Sequence, residues 1–497
     1  MFKKVLIANR GDVAVRVMRA CRELGVETVA IYSKADRNAL HVRYADEVYP
    51  IGEGPARSSY LDIERIIEVA VRSNSDAIHP GYGFLSENRA FAQACADAGI
   101  AFIGATPQAI DALADRRRLG ESLEAAGVPV WPMSRQTLDP DGLRQAAEKL
   151  GFPLLVRPVA GGGGLGERLV LSFDDLNDLI SLASIEAASS FGTGEVYLEK
   201  SLPGARRIEV HVLADSAGQV IYLGESEGTI RRRYQKLIEE SPSPVVTPEL
   251  RAQLGPAAGQ VPRQIGYVGI GTVEFLLDHN GKFDFLHFAP RLWVGHPVLE
   301  MVTGLDLVKE QIRVASGRRL RYQQADIVLR GHAISCRIHA EDPYAGFAPS
   351  VGQITRLMEP GGMGTRIETG VYEGFEVSHY YDPLIAKAVV WGEGRGEAIM
   401  RMRRVLSEYR IVGVKTNIPF LEQIMNRTSF IGGQFEASQE EAYFSVVRPV
   451  REDLFKVSAI AAALLAHQNR TRAIAAFNLG RRSSPWKVAG RWEEMGE

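Results

Sequence analysis

Short apolar runs alternate with amphipathic segments through the first hundred residues of the chain. A short apolar run is typical of a strand buried on both faces, and apolar residues at helical spacing predict the helices between such strands. Repeated strand–helix–strand units imply a doubly wound α/β domain with a parallel sheet. The predicted strands are residues 4–8, 28–32, 77–79 and 101–103, and the predicted helices are residues 13–23, 61–72 and 90–98.

A run of glycines separates two further predicted strands, residues 154–156 and 168–171. Glycine permits positive φ and lets the backbone approach a ligand closely. One interpretation is a flexible loop that covers phosphate groups; a long hairpin tip has the same composition. The glycines are Gly161, Gly162, Gly163, Gly164 and Gly166.

The rest of the pattern divides into a strand-rich part and a helical end. Strands are predicted for most of residues 195–288, and short strands with turns for residues 329–387. Helices are predicted at residues 394–407 and 420–426, and a polar helical tail follows from about residue 447. Because a domain typically holds about 100–200 residues, the length of 497 residues predicts about three domains.

The composition is that of a globular protein with sizeable cores, because 45% of the residues are apolar and 24% are charged. Lys and Arg number 58 and Asp and Glu 60, and this balance indicates neither a nucleic-acid nor a membrane partner. The three cysteines match no metal-site spacing, so we expect them in apolar cores and in a reducing compartment. With no signal-peptide pattern and no apolar run of roughly 18 residues, we expect a cytoplasmic protein.

Seven segments, which occur in one order along roughly residues 1–445, together resemble the biotin carboxylase family of ATP-grasp enzymes. Each segment alone is a weak signal, and the shared order makes the set specific. The segments are IANRG (7–11), HPGYGFLSEN (79–88), the glycine run, GHA with CR (331–333 and 336–337), AEDP (340–343), YYDP (380–383) and VKTN (414–417).

The resemblance implies an α/β fold with three domains and a tail. The expected parts are a doubly wound, pre-ATP-grasp domain, an ATP-grasp domain with a glycine-loop lid, a C-terminal mixed α+β domain and a helical tail. Their expected bounds are residues 1–112, residues 113–315 with the lid at about 131–203, residues 330–445, and residues 446–497.

Members of this family carboxylate biotin on a carrier protein, so the resemblance implies ATP, Mg²⁺ and bicarbonate as the reactants and cofactor of an active member. Bicarbonate is phosphorylated to carboxyphosphate, which delivers CO₂ to the biotin ring. The chain contains no Ala-Met-Lys-Met-like segment for covalent biotin. We therefore expect no covalent biotin on this chain and a carrier on another polypeptide.

Several residues match the site of the family. The resemblance implies that Lys236 and Arg291 bind bicarbonate, that Arg337 steadies the biotin enolate and that Glu274 is a metal ligand. Such clustered charges suit phosphoryl transfer, which depends on positioning and charge neutralisation. The resemblance assigns to the ATP site the positions of Arg116, Arg157, Gly162, Gly163, Gly164, Gly166, Glu199, Lys200 and Leu202.

Other positions depart from the family pattern. The family normally reads Glu-Met-Asn-Thr-Arg-Ile-Gln-Val-Glu-His-Pro where this chain has residues 287–297. On this resemblance His287 and Ala289 replace metal ligands, Trp293 replaces a bicarbonate-pocket Gln, and Gly295 replaces the general base. The departures in and around the nucleotide site are Arg116 and Arg157 for lysines, Leu165 for Arg, Arg207 and Tyr234 for His, and Arg231 for Gln.

These departures predict a loss of catalysis. Mg²⁺ prefers oxygen ligands, which His287 and Ala289 do not supply, and Gly295 can accept no proton, although a general base contributes about 10²–10⁴-fold. With Arg207 and Arg231 added and two carboxylates lost, the pocket is about four charge units more positive and repels Mg²⁺. We therefore expect no tightly bound cofactor and a non-catalytic subunit, structural or regulatory, of an acyl-CoA carboxylase complex.

Two alternatives stay open on the sequence. One is an active biotin carboxylase in which Asp278 or Asp284 substitutes for a lost ligand, and the other is a module that senses ATP or an anion. A softer metal on His287 would need further ligands, and no second His, Cys or carboxylate is evident nearby in the sequence. His296 is expected on a strand with Gly295 and hence on the opposite face, so it does not replace the base.

The resemblance also implies partners. Arg19, Glu23 and Arg366 match two-fold dimer contacts of the family, and Met363 replaces an aromatic residue there. We expect a homodimer, or a heterodimer with an active biotin carboxylase. Biotin carrier and carboxyltransferase subunits are the further expected partners, with no nucleic acid and no membrane.

Overall fold

The computed structural model describes most of the chain in two compact units, Met1–Val446 and Val447–Glu497. The described residues are 1–114, 116–134, 140–159, 167–191, 193–202, 204–232, 235–435 and 452–479.

The N-terminal part contains a five-stranded parallel sheet in the strand order β3-β2-β1-β4-β5. Along β1, Val5 and Ile7 pack into one apolar cluster and Leu6 into another, so both faces of the sheet are buried. This burial explains why the strands are short, continuous apolar runs. The elements are β1 (Lys4–Ile7), α1 (Gly11–Glu23), β2 (Glu27–Ser33), α2 (Leu40–Tyr44), β3 (Glu47–Gly52), α3 (Ile63–Arg72), β4 (Ala77–His79), α4 (Arg89–Asp97) and β5 (Ala101–Phe102), with short 3₁₀ helices at Lys34–Asp36 and Ala56–Ser58.

A three-stranded antiparallel sheet in the order β7-β6-β8 follows, with its own apolar core. Leu154 and Val156 on β6 pack with Leu198 on β8 and with Leu176 and Ile180 of the long helix α8. The elements up to this sheet are α5 (Pro107–Ala114), α6 (Arg116–Ala125), α7 (Pro140–Leu150), β6 (Leu154–Pro158), β7 (Arg168–Val170), α8 (Phe173–Phe191) and β8 (Val196–Lys200).

An eight-stranded antiparallel sheet, β15-β14-β9-β10-β13-β16-β23-β21, runs through the middle of the first unit. It joins strands that lie far apart in the chain, so residues from distant segments meet on its faces. The elements from residue 206 to 342 are β9 (Arg206–Ala214), β10 (Val220–Glu227), β11 (Arg231–Arg232), β12 (Gln235–Lys236), β13 (Ile238–Ser241), α9 (Pro248–Gln264), β14 (Gly269–Leu277), β15 (Phe283–Ala289), α10 (His296–Thr303), α11 (Leu307–Ala315), a 3₁₀ helix at Gln324–Asp326, β16 (His332–His339) and β17 (Glu341–Asp342).

The last part of the first unit packs short strands and three helices around a single apolar cluster that includes Phe420, Leu421 and Ile424. The elements are β18 (Ala348–Pro349), β19 (Gly352–Gln353), β20 (Arg356–Met358), β21 (Thr365–Thr369), β22 (Glu376–Val377), β23 (Leu384–Gly392), α12 (Arg395–Glu408), β24 (Arg410–Val412), α13 (Ile418–Met425) and α14 (Thr428–Ile431). The described part of the second unit is one helix, α15 (Glu452–Leu479).

One helix differs from the sequence prediction. Mainly strands were expected for residues 195–288, yet α9 occupies 17 residues of that range. Its two internal prolines and two glycines weaken a helical pattern. Thr247 begins the helix by accepting a hydrogen bond from Leu250 N, and Gly255 leaves room for the ring of Tyr222, which a Cβ there would approach at 2.3 Å. Close packing of helix on sheet therefore outweighs the weak local propensity.

The three cysteines are buried and unpaired, as expected from their scattered positions. Cys21, Cys95 and Cys336 belong to three different apolar clusters. Among the helices within the described ranges, we find none whose length and hydropathy would suffice for a transmembrane span.

Candidate active site

A row of ionisable side chains crosses three neighbouring strands of the eight-stranded sheet. Glu274 on β14 is directly opposite Glu209 on β9 and, on its other side, His287 on β15. Directly opposed residues in neighbouring strands project to the same face. Two carboxylates side by side on one face repel each other, so cations must accompany them.

Two arginines accompany Glu274. Arg207 Nη1 donates to Glu274 Oε1 at 3.0 Å, and Arg231 Nη2 donates to the same oxygen at 2.7 Å. Burial raises the pKa of Glu274, but the two guanidinium groups outweigh this effect and hold the pKa well below its ordinary value. The two arginines that the sequence analysis expected in the pocket thus contact the expected metal ligand itself.

Lys236, on the two-residue strand β12, accompanies Glu209. Its ammonium group forms an ion pair with Glu209 and lies 3.6 Å from the centroid of the Trp293 ring. An ammonium over an indole face is a favourable cation–π contact. Burial lowers the pKa of Lys236 to about 7, while Glu274 and Glu239 act in the opposite direction. The charge of Lys236 therefore changes near neutral pH.

Arg337 on β16 is held by Glu239 on β13. Arg337 Nη2 and Nε donate to Glu239 Oε2 at 2.9 and 3.1 Å, and Trp293 Nε1 donates to Oε1 at 2.8 Å. Burial raises the pKa of Glu239, but Arg337 and Lys236 lower it further than burial raises it. The carboxylate is therefore ionised although only 1% of Glu239 is exposed.

Gly295 and His296 lie at the start of α10, so the prediction that they are neighbours on a strand is wrong. Pro297 follows them, and proline favours the first turn of a helix because its fixed φ suits that turn and its missing N–H is not needed there. The His296 ring is buried, and its Nδ1 lies 2.6 Å from the carbonyl oxygen of Trp293. The His296 side chain is therefore packed in the protein interior.

Three other residues of the 287–297 segment, Arg291, His287 and Ala289, differ in their contacts and exposure. Arg291 Nε donates to Glu87 Oε1 at 2.5 Å, and its guanidinium carbon lies 5.4 Å from the Trp293 ring centroid. His287 is exposed, and Ala289 is buried opposite Thr272. Arg291 thus reaches the same indole ring as Lys236, from a different position.

The two aspartates considered as substitute ligands are engaged at the β14–β15 turn. Asp278 Oδ1 accepts hydrogen bonds from the backbone N–H groups of Asn280 and Lys282, both at 2.8 Å. Asp284 lies opposite Leu276 and forms an ion pair with Lys282 at 3.3 Å. These bonds stabilise the turn, and neither aspartate adds a ligand beside Glu274.

Three of the expected nucleotide residues lie on the neighbouring antiparallel strands β6 and β8. Arg157 Nη1 donates to Glu199 Oε2 at 2.9 Å and also contacts Glu167. Lys200 Nζ donates to the carbonyl oxygens of residues 151 and 152 at 2.8 and 2.9 Å. Leu202, just beyond β8, packs against the cluster around Trp131. Arg157 and Glu199 thus share one face of this sheet, whereas Lys200, which pairs with Leu154, projects from the other.

Some expected site residues lie outside the described residues. These are the loop glycines Gly162, Gly163, Gly164 and Gly166, with Leu165 and Tyr234. Arg116 begins α6, and its side chain is likewise not described.

Glu209 and Glu239 are functional candidates that the sequence analysis did not single out. Glu209 is a lone carboxylate in an apolar stretch, Ile208-Glu209-Val210, whereas Glu239 follows Leu237-Ile238 and is itself followed by Glu240. A buried charge requires a partner, so a charged residue in an otherwise apolar strand is a usable signal. The partner itself does not follow from that signal.

One carboxylate at the row, Glu274, fits a magnesium ion that arrives with a nucleotide. Mg²⁺ commonly takes one or two protein carboxylates together with phosphate oxygens and water, so a full protein cage is not needed. Its two arginine partners compete with the metal, but guanidinium groups also bind phosphate bidentately. Within the described ranges the one cluster of three possible metal ligands lies elsewhere and is enclosed by cations. That cluster is His296, Glu300 and Glu368, beside Arg16, Arg366 and Lys387.

Family models match three consecutive parts of the chain. The biotin carboxylase N-terminal domain matches residues 1–110, the ATP-binding domain of the carbamoyl-phosphate synthase L chain matches residues 115–323, and the biotin carboxylase C-terminal domain matches residues 335–439. The chain belongs to the biotin carboxylase family. The family assignment and the three-domain fold expected from the resemblance are thus confirmed.

Curated members of the biotin carboxylase family are similar over most of their length. A pyruvate carboxylase subunit of Methanothermobacter thermautotrophicus is 50% identical over 444 residues, which are 89% of this chain and 90% of that protein. Biotin carboxylase of Nostoc sp. is 49% identical over 439 residues, which are 88% of this chain and 98% of that protein.

Solved structures of the biotin carboxylase family share the fold. The biotin carboxylase domain dimer of Hydrogenobacter thermophilus 2-oxoglutarate carboxylase, in complex with MgADP, ADP and bicarbonate, is 46% identical with a TM-score of 0.87 and covers 90% of this chain and 100% of that one. The Campylobacter jejuni biotin carboxylase–β,γ-ATP complex is 41% identical with a TM-score of 0.86 and covers 89% and 99%.

These similarities correct two expectations from the sequence. The expectation that no cofactor is tightly bound is wrong: similar biotin carboxylase structures hold MgADP and bicarbonate. The inference of a non-catalytic subunit is not supported either, since the relatives at 49–50% identity are named for carboxylases. The physical reason lies in Mg²⁺ chemistry: water and phosphate oxygens together supply most of its ligands, so lost side-chain ligands do not exclude the metal.

Proposed function

We propose that this chain is a biotin carboxylase, which uses ATP, Mg²⁺ and bicarbonate to carboxylate biotin on a separate carrier protein. The proposal rests on one structural observation above all: the side chain of Lys236, on the separate strand β12, lies with those of Arg337, Glu209, Glu239 and Glu274 on the eight-stranded sheet. The identity of about 50% to carboxylase subunits over 89% of the chain supports the same reaction.

The nucleotide end of the proposed site uses Arg157, Glu199, Lys200 and Leu202. Arg157 carries a permanent, planar charge that can bind phosphate oxygens bidentately. Glu199 holds this guanidinium at 2.9 Å and so orients it. Arg116 and the glycines at 162–164 and 166 complete the proposed ATP site on the family resemblance alone.

Glu274 is the residue proposed to hold Mg²⁺, and the bound metal would neutralise charge on the transferring phosphate. Arg207 and Arg231 then change partners. Both bond to Glu274 Oε1, and with a metal on that oxygen they would be available to bind the phosphate groups. Arginine in this role stabilises phosphate charge without the geometric demands of a metal ion.

Lys236 and Arg291 are proposed to bind bicarbonate, and Arg337 to stabilise the biotin enolate. Lys236 and Arg291 lie against the same Trp293 ring, at 3.6 and 5.4 Å from its centroid. The indole thereby fixes two cations near one space, which favours an anion between them.

The proposed assembly is a dimer that also contacts biotin carrier and carboxyltransferase subunits. The similar Hydrogenobacter thermophilus domain is a dimer. Met363, at the position that the family resemblance assigns to the dimer contact, is 83% exposed in the single chain. A large apolar side chain so exposed is suited to burial against a second copy.

Bicarbonate-dependent ATP hydrolysis by the purified full chain tests the proposed function. We expect ADP release that requires Mg²⁺ and bicarbonate together and rises when free biotin is added. A matched reaction without bicarbonate measures the background. Equal ADP release with and without bicarbonate, at millimolar concentrations of each substrate, would contradict the proposal and favour a subunit without catalysis.

Arg231→Gln is expected to tighten Mg²⁺ binding by at least about threefold, because one of the two cations that compete for Glu274 is removed. Titration with Mn²⁺ as the substitute for Mg²⁺, followed by electron paramagnetic resonance, measures the metal affinity without turnover. Arg232→Gln is the matched control: the neighbouring side chain donates to the carbonyl of Gly346 instead. Equal metal affinities in the two variants would argue against competition at Glu274.

A further inference from the structure

The Glu239 carboxylate occupies the space in which a side chain at position 295 would begin. A Cβ built on Gly295 would lie 2.4 Å from Glu239 Oε1, 2.5 Å from its Cδ and 2.7 Å from Oε2. At such distances one of the two groups would have to move. The conformation of Glu239 therefore depends on the glycine, which leaves this space free for the carboxylate.

The bonds of Glu239 leave it oriented but still able to accept a proton. Oε2 accepts both hydrogen bonds from Arg337, whereas Oε1 accepts the single N–H of Trp293 at 2.8 Å. The indole N–H is only a donor. The hydroxyl group of bicarbonate is a donor of the same kind, and Trp293 is only partly buried. An O–H donor that displaces the indole N–H would therefore find an acceptor in Oε1.

The charges around Glu239 suit this exchange. Lys236, proposed above as a bicarbonate ligand, lies on the face of the same Trp293 ring whose N–H reaches Glu239. Arg337, proposed as the biotin ligand, holds the other carboxylate oxygen. The carboxylate therefore lies between the two proposed substrate cations.

We propose that Glu239 is the general base of the reaction, at the place vacated by residue 295. The O–H bond of bicarbonate breaks and its proton passes to Glu239 Oε1. The freed oxygen forms a bond to the γ-phosphorus of ATP, and the bond from that phosphorus to the bridging oxygen breaks to give ADP and carboxyphosphate. The proton on Glu239 later leaves to water or to the phosphate product. This assignment rests on the proposed biotin carboxylase function.

Three variants test the assignment. Glu239→Gln keeps the shape and an acceptor but removes the base, so kcat for bicarbonate-dependent ATP hydrolysis should fall by about 10²–10⁴-fold. Bicarbonate binding without nucleotide, measured by calorimetry, should change little. The third variant combines Glu239→Ala with Gly295→Glu, which places a carboxylate on residue 295 in the space that Glu239 leaves. We expect its kcat to be at least about tenfold higher than that of Glu239→Ala alone.

Glu240→Gln is the control on the same strand. Glu240 is also buried and ion-paired, but to His332 and Arg395, so its replacement should leave kcat and its pH profile unchanged. The acidic limb of the pH profile should disappear only in Glu239→Gln.

Two results would overturn the assignment. An active chain whose Glu239→Gln variant keeps more than a tenth of kcat, or loses activity only through a higher bicarbonate KM, shows that Glu239 positions Arg337 and is not the base. An unaltered chain without bicarbonate-dependent hydrolysis overturns the proposed function and the base together. The activity of the unaltered chain therefore tells the two failures apart: an active chain limits the failure to the base assignment, and an inactive chain rules out the proposed function.

Discussion

Lys387→Met is expected to lower the free energy of unfolding by about 3–5 kcal/mol, because it removes one partner of a buried ion-pair network. Lys387 on β23 is 0% exposed. Its ammonium lies 2.8 Å from Glu368 Oε2 and 3.1 Å from Asp12 Oδ2. Burial alone would lower the pKa of Lys387, but Glu368, Tyr82 and Asp12 raise it above its ordinary value. The lysine is therefore charged at every physiological pH.

Methionine preserves the length of the side chain and removes the charge, so the loss reports electrostatics more than a cavity. Glu368 is left buried with Arg366 and Arg16 as its cations. Asp12 belongs to α1 of the parallel-sheet part, whereas Glu368 and Lys387 belong to neighbouring strands β21 and β23. The network therefore joins the N-terminal part to the eight-stranded sheet, and we expect the parts to lose cooperativity in unfolding.

Urea unfolding, followed by circular dichroism and by intrinsic fluorescence, measures this loss. Lys34→Met is the matched control, because Lys34 pairs with Glu53 at 3.3 Å while both side chains are largely exposed. Exposed pairs contribute less than about 1 kcal/mol. A Lys387→Met variant that unfolds at the same urea concentration as Lys34→Met would contradict the assigned role of the network.

The parallel sheet was largely predictable from the sequence, since its inner strands are buried on both faces and read as apolar runs. The strand β3 (Glu47–Gly52) was not predicted. It forms an edge of the sheet, its first four residues alternate between partly buried and exposed, only Ile51 is fully buried, and it contains Pro50. An edge strand needs neither a continuous apolar run nor a full set of donors, so the local pattern carries little signal.

The site was predictable only in part, for a different physical reason. Lys236, Arg337 and Glu274 were found from a resemblance, and the structure brings them near one another. The bonds that Glu239 makes join it to residues 54 and 98 positions away. Such contacts arise from the order of strands in the sheet, which no local pattern specifies. The expectation of a lost base followed from Gly295 alone, because the sequence did not show which side chain takes the vacated space.

Lys236→Met is expected to lower kcat/KM for bicarbonate by about 10²–10³-fold, the usual effect of removing one preorganised charge from a reacting anion. The lysine is 4% exposed and lies against Trp293, so water does not compensate for its loss. Lys236→Arg keeps the positive charge and is the matched control. A Lys236→Met variant with unchanged kcat/KM would exclude this residue from bicarbonate binding.

The pH dependence gives a second and independent test of Lys236. Its pKa in the folded protein is about 7, so the free enzyme loses this cation as the pH rises above about 7, and the KM for bicarbonate should then increase. Arginine does not lose its proton in this range, so Lys236→Arg should flatten the increase in KM.

The effect of the same titration on stability is favourable. Between pH 7 and the ordinary pKa of 10.5 the unfolded chain binds more protons than the folded one, so the contribution of Lys236 to the free energy of unfolding rises with pH. A bicarbonate KM that rises equally in the unaltered chain and in Lys236→Arg would assign the titration to another group.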